Sequence, residues 1–183
     1  MQGATHIHQP LVERARKNDR SAQSELFRLY SPAMFAVAMR ILNHREEAED
    51  CLQECFIDAF GKLHSFREES GFGSWMKRIV MNRSINLLKK KTPRFADVER
   101  IIDVAEEAED PAGTLPDYSP QQIREAVGSL SDGYRAVFSL YMFEDLPHKE
   151  IAAMLGITES TSKSQLNRAK KQLKNLLLSH ENN

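Results

Sequence analysis

Apolar residues recur at helical spacing along most of this chain. Ala48, Cys51, Leu52, Cys55, Phe56, Ala59, Phe60 and Leu63 fall at the i, i+3, i+4, i+7 positions of one stripe. That period marks a helix with a single buried face. No stretch alternates apolar and polar with the period of two that a half-buried strand needs. Other helices are predicted on either side. Ser21 has the chemistry of an N-cap, with Ser24 and Glu25 in the first turn and Leu26, Phe27 and Tyr30 following. Ser31-Pro32 reads as a second start, a cap and then proline at the first helical position, leading into Phe35, Val37, Met39 and Leu42. A glycine-bearing loop from Arg67 to Gly73 precedes a fourth helix, Ser74 to Lys91. Helices near 120–129, 132–144, 148–155 and 159–178 complete an all-α fold class.

Between the two helical blocks the punctuation changes. Pro93, Pro111, Gly113, Pro116 and Pro120 gather in or beside residues 93–119. We read that stretch as a linker between a domain at 1–92 and a domain at 120–183. Ile101, Ile102 and Val104 within it form either a short docking helix or part of a solvated spacer. Charge follows the same division. Residues 1–92 hold 15 Lys/Arg against 11 Asp/Glu, residues 93–119 hold 2 against 8, and residues 120–183 hold 8 against 7. The net charge of -1 therefore hides an acidic tether between two more basic blocks, which bears on partners rather than fold.

Composition then removes whole classes. With 183 residues, 41% apolar and 28% charged, the chain suits one domain or two small ones and is too apolar to be wholly disordered. No window approaches the ~20 uncharged residues of a membrane helix, so no membrane insertion is expected. Met1 to Pro10 is polar and lacks an apolar signal core. Two cysteines, Cys51 and Cys55, cannot make a disulfide framework, and a reducing cytosol is the expected compartment. Both lie on the buried stripe, where they read as core residues; a metal pair with His44 or His64 is the weaker reading. No serine–histidine–acid order, P-loop or metal signature appears, so neither catalysis nor a cofactor is expected. Gly71 and Gly73 have no strand before them to make a phosphate cradle.

The last block has a specific grammar. Pro147 starts a short helix whose apolar face is Ile151, Ala152 and Leu155. Gly156 ends it in the left-handed conformation, Ile157 plugs the turn, and Thr158 caps the next helix. That is the helix-turn-helix pattern. On the second helix Leu166, Ala169, Leu173, Leu176 and Leu177 share one side, and Thr161, Ser164, Asn167, Arg168, Lys171 and Asn175 the other. Thr158 to Leu178 holds five Lys/Arg and one carboxylate, Glu159. Hydroxyl, amide and guanidinium groups on one face suit a DNA major groove, although a solvated basic face would look similar.

The first block offers two more faces. Opposite the cysteine stripe, Asp50, Gln53, Glu54 and Ile57 lie together. An aliphatic residue among carboxylates fits a basic, partly apolar protein partner, or else one stray isoleucine on a solvated face. From Trp75 to Thr92 there are six Lys/Arg and no acids. Met76, Val80, Leu87 and Leu88 share an apolar side, while Trp75, Arg78, Asn82 and Asn86 point away from it. Aromatic, amide and cation together fit single-stranded nucleic acid. Trp75 itself reads as a packing residue.

These motifs resemble a known family. Glu47-Ala48-Glu49-Asp50-Cys51-Leu52-Gln53-Glu54-Cys55-Phe56 is similar to region two of the extracytoplasmic-function sigma factors of bacterial RNA polymerase, and Gly73 to Arg83 to its continuation. Leu130 to Phe138, followed by Glu150 to Ile157, resembles region four. The resemblance implies that Asp50, Gln53 and Glu54 face core polymerase, and Ile57, on the same helix face, is expected to join them. It implies that Asn82 and the Arg67–Gly73 loop, Phe72 included, serve the melted minus-10 element, where a base is flipped out; Trp75, Arg78 and Asn86, on the same face of the helix as Asn82, are expected to join them. It implies that Thr161, Lys163, Ser164, Asn167 and Arg168 meet the duplex minus-35 element, and Lys171, on the same face, is expected to join them. The linker, with its charge of -6, would thread the polymerase cleft. An anti-sigma factor is an implied partner. Some positions depart from the family. Ser162 stands where valine is common and needs a hydrogen-bond partner if buried. Gln165 replaces a common arginine, Asn167 a histidine or aromatic, Met81 an arginine and Asn86 an aspartate. The rival reading is a stand-alone helix-turn-helix regulator.

Overall fold

The computed structural model describes residues 7–68, 70–91 and 118–180. Those residues form eight α-helices and one short 3-10 turn, with no strand among them. Two units divide the chain after Leu88. The acidic stretch, with Ile101, Ile102 and Val104, lies outside the described residues.

The first unit begins with a helix that periodicity did not predict. Helix α1, Gln9–Arg16, has Pro10 in its first turn and buries only Val12 and Ala15. Helix α2 runs from Arg20 to Leu42 without a break. Its cap is Asp19 rather than Ser21: Asp19 Oδ1 accepts from the N–H groups of Ser21 and Ala22 at 2.9 and 3.2 Å. A carboxylate has a second oxygen to spend, and Asp19 Oδ2 accepts from Arg14 Nε at 2.8 Å. Those bonds hold the Asp19 carboxyl below its usual range, the backbone N–H of Ala22 contributing most.

Ser31-Pro32 does not start a second helix. Proline inside a helix costs about 3 kcal/mol through its missing N–H and its clash with the preceding turn. Burial outweighs that cost. Ala22, Leu26, Met34, Val37, Ala38, Ile41 and Leu42 form one buried stripe that continues across Pro32. Each large aliphatic side chain contributes about 1.5–3 kcal/mol, and Pro32 itself is exposed.

Asn43 turns the chain in the left-handed region at φ 52, a conformation asparagine tolerates. Helix α3, Arg45–Gly61, packs against α2 and buries Ala48, Cys51, Leu52, Cys55, Phe56 and Ala59. Phe27 meets Phe56 edge-on, with ring centroids 4.8 Å apart. After the 3-10 turn at Leu63–Ser65, helix α4 spans Phe72–Lys91, two residues earlier than its predicted start. Tyr30 lies over the beginning of α4. Its ring meets Phe72 at 5.0 Å, its hydroxyl is 2.8 Å from His8 Nδ1, and a Cβ added at Gly73 would stand 2.8 Å from its Cε1.

The second unit follows its local signals closely. Helix α5, Pro120–Gly128, opens on a reciprocal cap: Ser119 Oγ accepts from Gln122 N–H, and Gln122 Oε1 accepts from Ser119 N–H. Helix α6, Asp132–Met142, carries the buried Arg135, whose Nη1 donates to the Leu130 carbonyl at 2.9 Å and whose Nη2 pairs with Asp132. Helix α7, His148–Leu155, ends at Gly156 with φ 72 and ψ 36. Helix α8, Glu159–His180, packs on α5, α6 and α7. Its first turn is capped by Thr158 Oγ1, which accepts from Thr161 N–H at 3.0 Å.

Candidate nucleic-acid and partner interfaces

On α3 the residues opposite the core form one exposed face. Asp50, Gln53 and Glu54 are exposed, and Ile57 is 71% exposed. The face is not a bare row of carboxylates. Arg83 of α4 pairs with Glu54 through Nη2 and donates from Nη1 to Asp58 Oδ2 at 2.8 Å. Sequence periodicity missed this arginine as a member of the face, because period reports on one helix at a time. Beneath it the thiols of Cys51 and Cys55 are 4.0 Å apart, and Cys51 Sγ lies 3.5 Å from Ser84 Oγ. Only one thiol of such a pair ionises readily. The bond from Cys55 pulls Cys51 down to about 7, and donating that bond, together with burial, pushes Cys55 up. Both are fully buried, which keeps them from acting as nucleophiles toward anything in solvent. No cluster of three or more metal-ligating side chains occurs among the described residues.

Helix α4 presents Arg78, Asn82 and Asn86 to solvent at intervals of four, one line along the helix. Trp75 is half-buried and tilted against Phe66, with centroids 5.0 Å apart. Phe72 does not join the exposed set. It is 4% exposed and enclosed by Tyr30, Phe66 and Trp75. Because α4 starts at Phe72 rather than Ser74, that side chain points into the core. The loop has an anchor that the sequence concealed: Arg16 Nη2 donates to the Phe66 carbonyl at 3.0 Å and to Glu68 Oε1 at 2.8 Å. Fifty residues separate Arg16 from Phe66, so no local pattern links them.

In the second unit α8 presents Lys163, Ser164, Asn167 and Lys171 as an exposed face, with Arg168 partly exposed beside them. Ser164 Oγ donates to the Thr161 carbonyl at 3.0 Å, and Lys163 Nζ lies 3.0 Å from Glu159 Oε1. The Lys163 ammonium holds the Glu159 carboxyl below its usual range. Thr161 does not belong to that face. It is 7% exposed, and its hydroxyl lies 2.7 Å from Thr158 Oγ1; the first turn of α8 is tucked against α7, so this hydroxyl serves the cap. Gln165 is 2% exposed, so its exchange for arginine alters the inner side of α8. Ser162 is wholly buried and has the partner its burial demands, His148 Nδ1 at 2.9 Å.

No helix among the described residues is long and apolar enough to cross a membrane. The exposed faces are one acidic–aliphatic and two rich in amide, hydroxyl and cation. The first suits a protein partner and the other two suit nucleic acid.

Comparison with known proteins identifies the family. Residues 26–94 match the model of Sigma-70 region 2, and residues 120–173 match that of Sigma-70, region 4. The chain is 28% identical over 178 residues to the ECF RNA polymerase sigma factor SigW of Bacillus subtilis, covering 91% of this chain and 94% of that one. It is 30% identical over 182 residues to the ECF RNA polymerase sigma-E factor of Escherichia coli K12, covering 91% and 92%. Among solved structures, the sigma factor RpoE of Bartonella quintana, in complex with the anti-sigma factor NepR, aligns with a TM-score of 0.54 at 25% identity, covering 84% of this chain and 95% of that one. The chain belongs to the extracytoplasmic-function sigma factors of the sigma-70 family.

Proposed function

We propose that the chain is a promoter-specificity subunit whose three exposed faces divide the work of initiation. The α3 face, Asp50, Gln53, Glu54 and Ile57, docks on core RNA polymerase. Its carboxylates meet a basic surface and Ile57 contributes apolar area at the centre of the contact. On α4, Asn82 and the Arg67–Gly73 loop receive a base flipped from the melted minus-10 strand, with Arg78 and Asn86 along its path. Flipping costs a few kcal/mol, so a rigid pocket is needed, and the Arg16 anchor and the Tyr30–Phe66–Phe72–Trp75 ring cluster supply the rigidity. On α8, Ser164, Asn167 and Arg168 read base edges of the minus-35 duplex while Lys163 and Lys171 meet phosphates. The domains act as units 1–92 and 120–183 on the acidic tether 93–119. The polymerase makes and breaks the bonds, and this chain chooses where.

The observation that carries the reading is the exposed row of Lys163, Ser164, Asn167 and Lys171 on a helix set by a glycine turn. A bacterial cytoplasm is the compartment this work requires. An anti-sigma partner is supported by the solved complex of a structural relative with NepR.

Run-off transcription with purified core polymerase on a promoter library tests the proposal. Initiation at defined sites that requires both proteins is the expected result. A shift of duplex DNA by the chain alone, with no effect on transcript starts, would instead favour the stand-alone regulator.

A further inference from the structure

Three observations converge at the beginning of α7. His148 is its first residue, and its Nδ1 is 2.9 Å from Ser162 Oγ on α8. Its ring stacks on Tyr141 of α6, with centroids 4.7 Å apart and planes 22° from parallel. Ser162 is 0% exposed and sits one residue before Lys163 and two before Ser164, which face outward.

The turn at Gly156–Thr158 joins the far end of α7 to the first residues of α8, and so fixes one point of the crossing between the two helices. One point leaves the helices free to pivot and to roll. Apolar contacts between them resist separation but have little directional preference. The His148–Ser162 bond adds a second point at the other end of α7, roughly 10 Å away at 1.5 Å per residue. A hydrogen bond is directional and weakens steeply when misaligned. The stack on Tyr141 holds the imidazole plane against α6. Together these contacts tie three helices at one ring.

We infer that His148 is a positioning residue for promoter reading: clipped to Ser162 and stacked on Tyr141, it fixes the roll and pitch at which α8 presents Lys163, Ser164 and Asn167 to the groove. The inference rests on the minus-35 role assigned to α8 above. Ser162 reciprocates, since its buried hydroxyl would otherwise lose its side-chain partner. The surrounding charges suit a neutral ring. Burial disfavours imidazolium first, and the Lys163 and Lys170 ammonium groups of α8 add to that, against the single carboxylate of Glu159. A neutral ring protonated at Nε2 accepts from the Ser162 O–H.

The test uses the full chain with core polymerase. A template is selected by the wild-type holoenzyme from a library randomised in the upstream element and compared with the same template scrambled there. Discrimination is the ratio of initiation on the two, with melting temperatures taken in parallel so that every variant is assayed folded. Replacing His148 by phenylalanine (His148→Phe) keeps a ring for the stack and removes the bond; discrimination is expected to fall by about tenfold, the worth of one orphaned buried group. His148→Asn, which returns an acceptor near the Nδ1 position, recovers most of the loss. Adding Ser162→Val to His148→Phe removes the orphaned hydroxyl, so it recovers melting temperature but not discrimination, because no directional bond returns. If His148→Phe discriminates as well as wild type, or loses initiation equally on both templates, or if His148→Asn does no better than phenylalanine, His148 merely stabilises the fold and the inference fails. If wild type itself does not discriminate, the minus-35 role of α8 falls, and the inference with it.

Discussion

Arg83 Nη1 lies 2.8 Å from Asp58 Oδ2, so the helix proposed to meet melted DNA reaches into the face proposed to meet polymerase. The same guanidinium pairs with Glu54. All three side chains are a third or more exposed, which limits the pairs' worth to about 1 kcal/mol or less. Their larger effect is on charge, since one arginine offsets two carboxylates of α3.

Arg83→Ala should therefore leave thermal melting of the chain nearly unchanged and alter association with core polymerase. The α3 face becomes more negative, so binding should strengthen at low salt and fall off more steeply as salt rises. Titrations at two ionic strengths read this directly. An unchanged salt slope would remove the α3 face from the contact.

Phe72 and Asn82 separate support from contact. Phe72→Ala should cost about 3–5 kcal/mol, the usual loss for a truncated core aromatic, visible as a lowered melting temperature. Asn82→Ala should shift stability by about 0.5 kcal/mol or less, as expected for an exposed site. It should still lower open-complex formation, followed by permanganate reactivity of the melted strand, more than closed-complex binding. Equal loss in both complexes would count against base capture.

Gly156 sits at φ 72, where a Cβ is penalised. Gly156→Ala should destabilise the second unit by about 1–2 kcal/mol, seen in thermal melting by circular dichroism. Gly156→Asn should lose less, because asparagine tolerates this backbone region.

His148 also predicts a pH dependence. Burial, with Lys163 and Lys170, holds its folded-state pKa below the ordinary 6.5. As pH falls below 6.5 the unfolded chain takes up a proton that the folded chain resists, so stability declines. The drop in melting temperature from pH 7.5 to pH 5.5 should be smaller in His148→Phe than in wild type. Glu159, whose pKa is also lowered, would contribute only around and below 4.5 and leaves this window clear.

How far the sequence could be read depended on whether the deciding interaction was local. Pro147, Gly156 and Thr158 punctuate the second unit through bonds within four residues, and the helices there begin and end close to where that chemistry predicts. Where tertiary burial outvoted a local signal, the prediction failed: Pro32 has the look of a helix start, yet the stripe from Ala22 to Leu42 carries the helix through it. Asp19 took the cap from Ser21 because it also had Arg14 to hold. Helix α1 buries only Val12 and Ala15, too few for a period to register. Of the site residues, the exposed ones on α4 and α8 followed from helical phase alone. Phe72 and Thr161 were misplaced because each lies in a helix's first turn, where a shifted start or a cap decides which way a side chain faces. The partnerships of Arg16, Arg83 and His148 join different helices, and no single period contains them.

Tyr30 rests on the uncovered backbone of Gly73 while His8 and Phe72 hold its ring from other directions. In the genetic code every glycine codon shares its first two bases, so any change at either base ends the chain or places a side chain where the tyrosine already lies. Only the third base of codon 73 can drift silently, and inherited variation at this position should be confined to it.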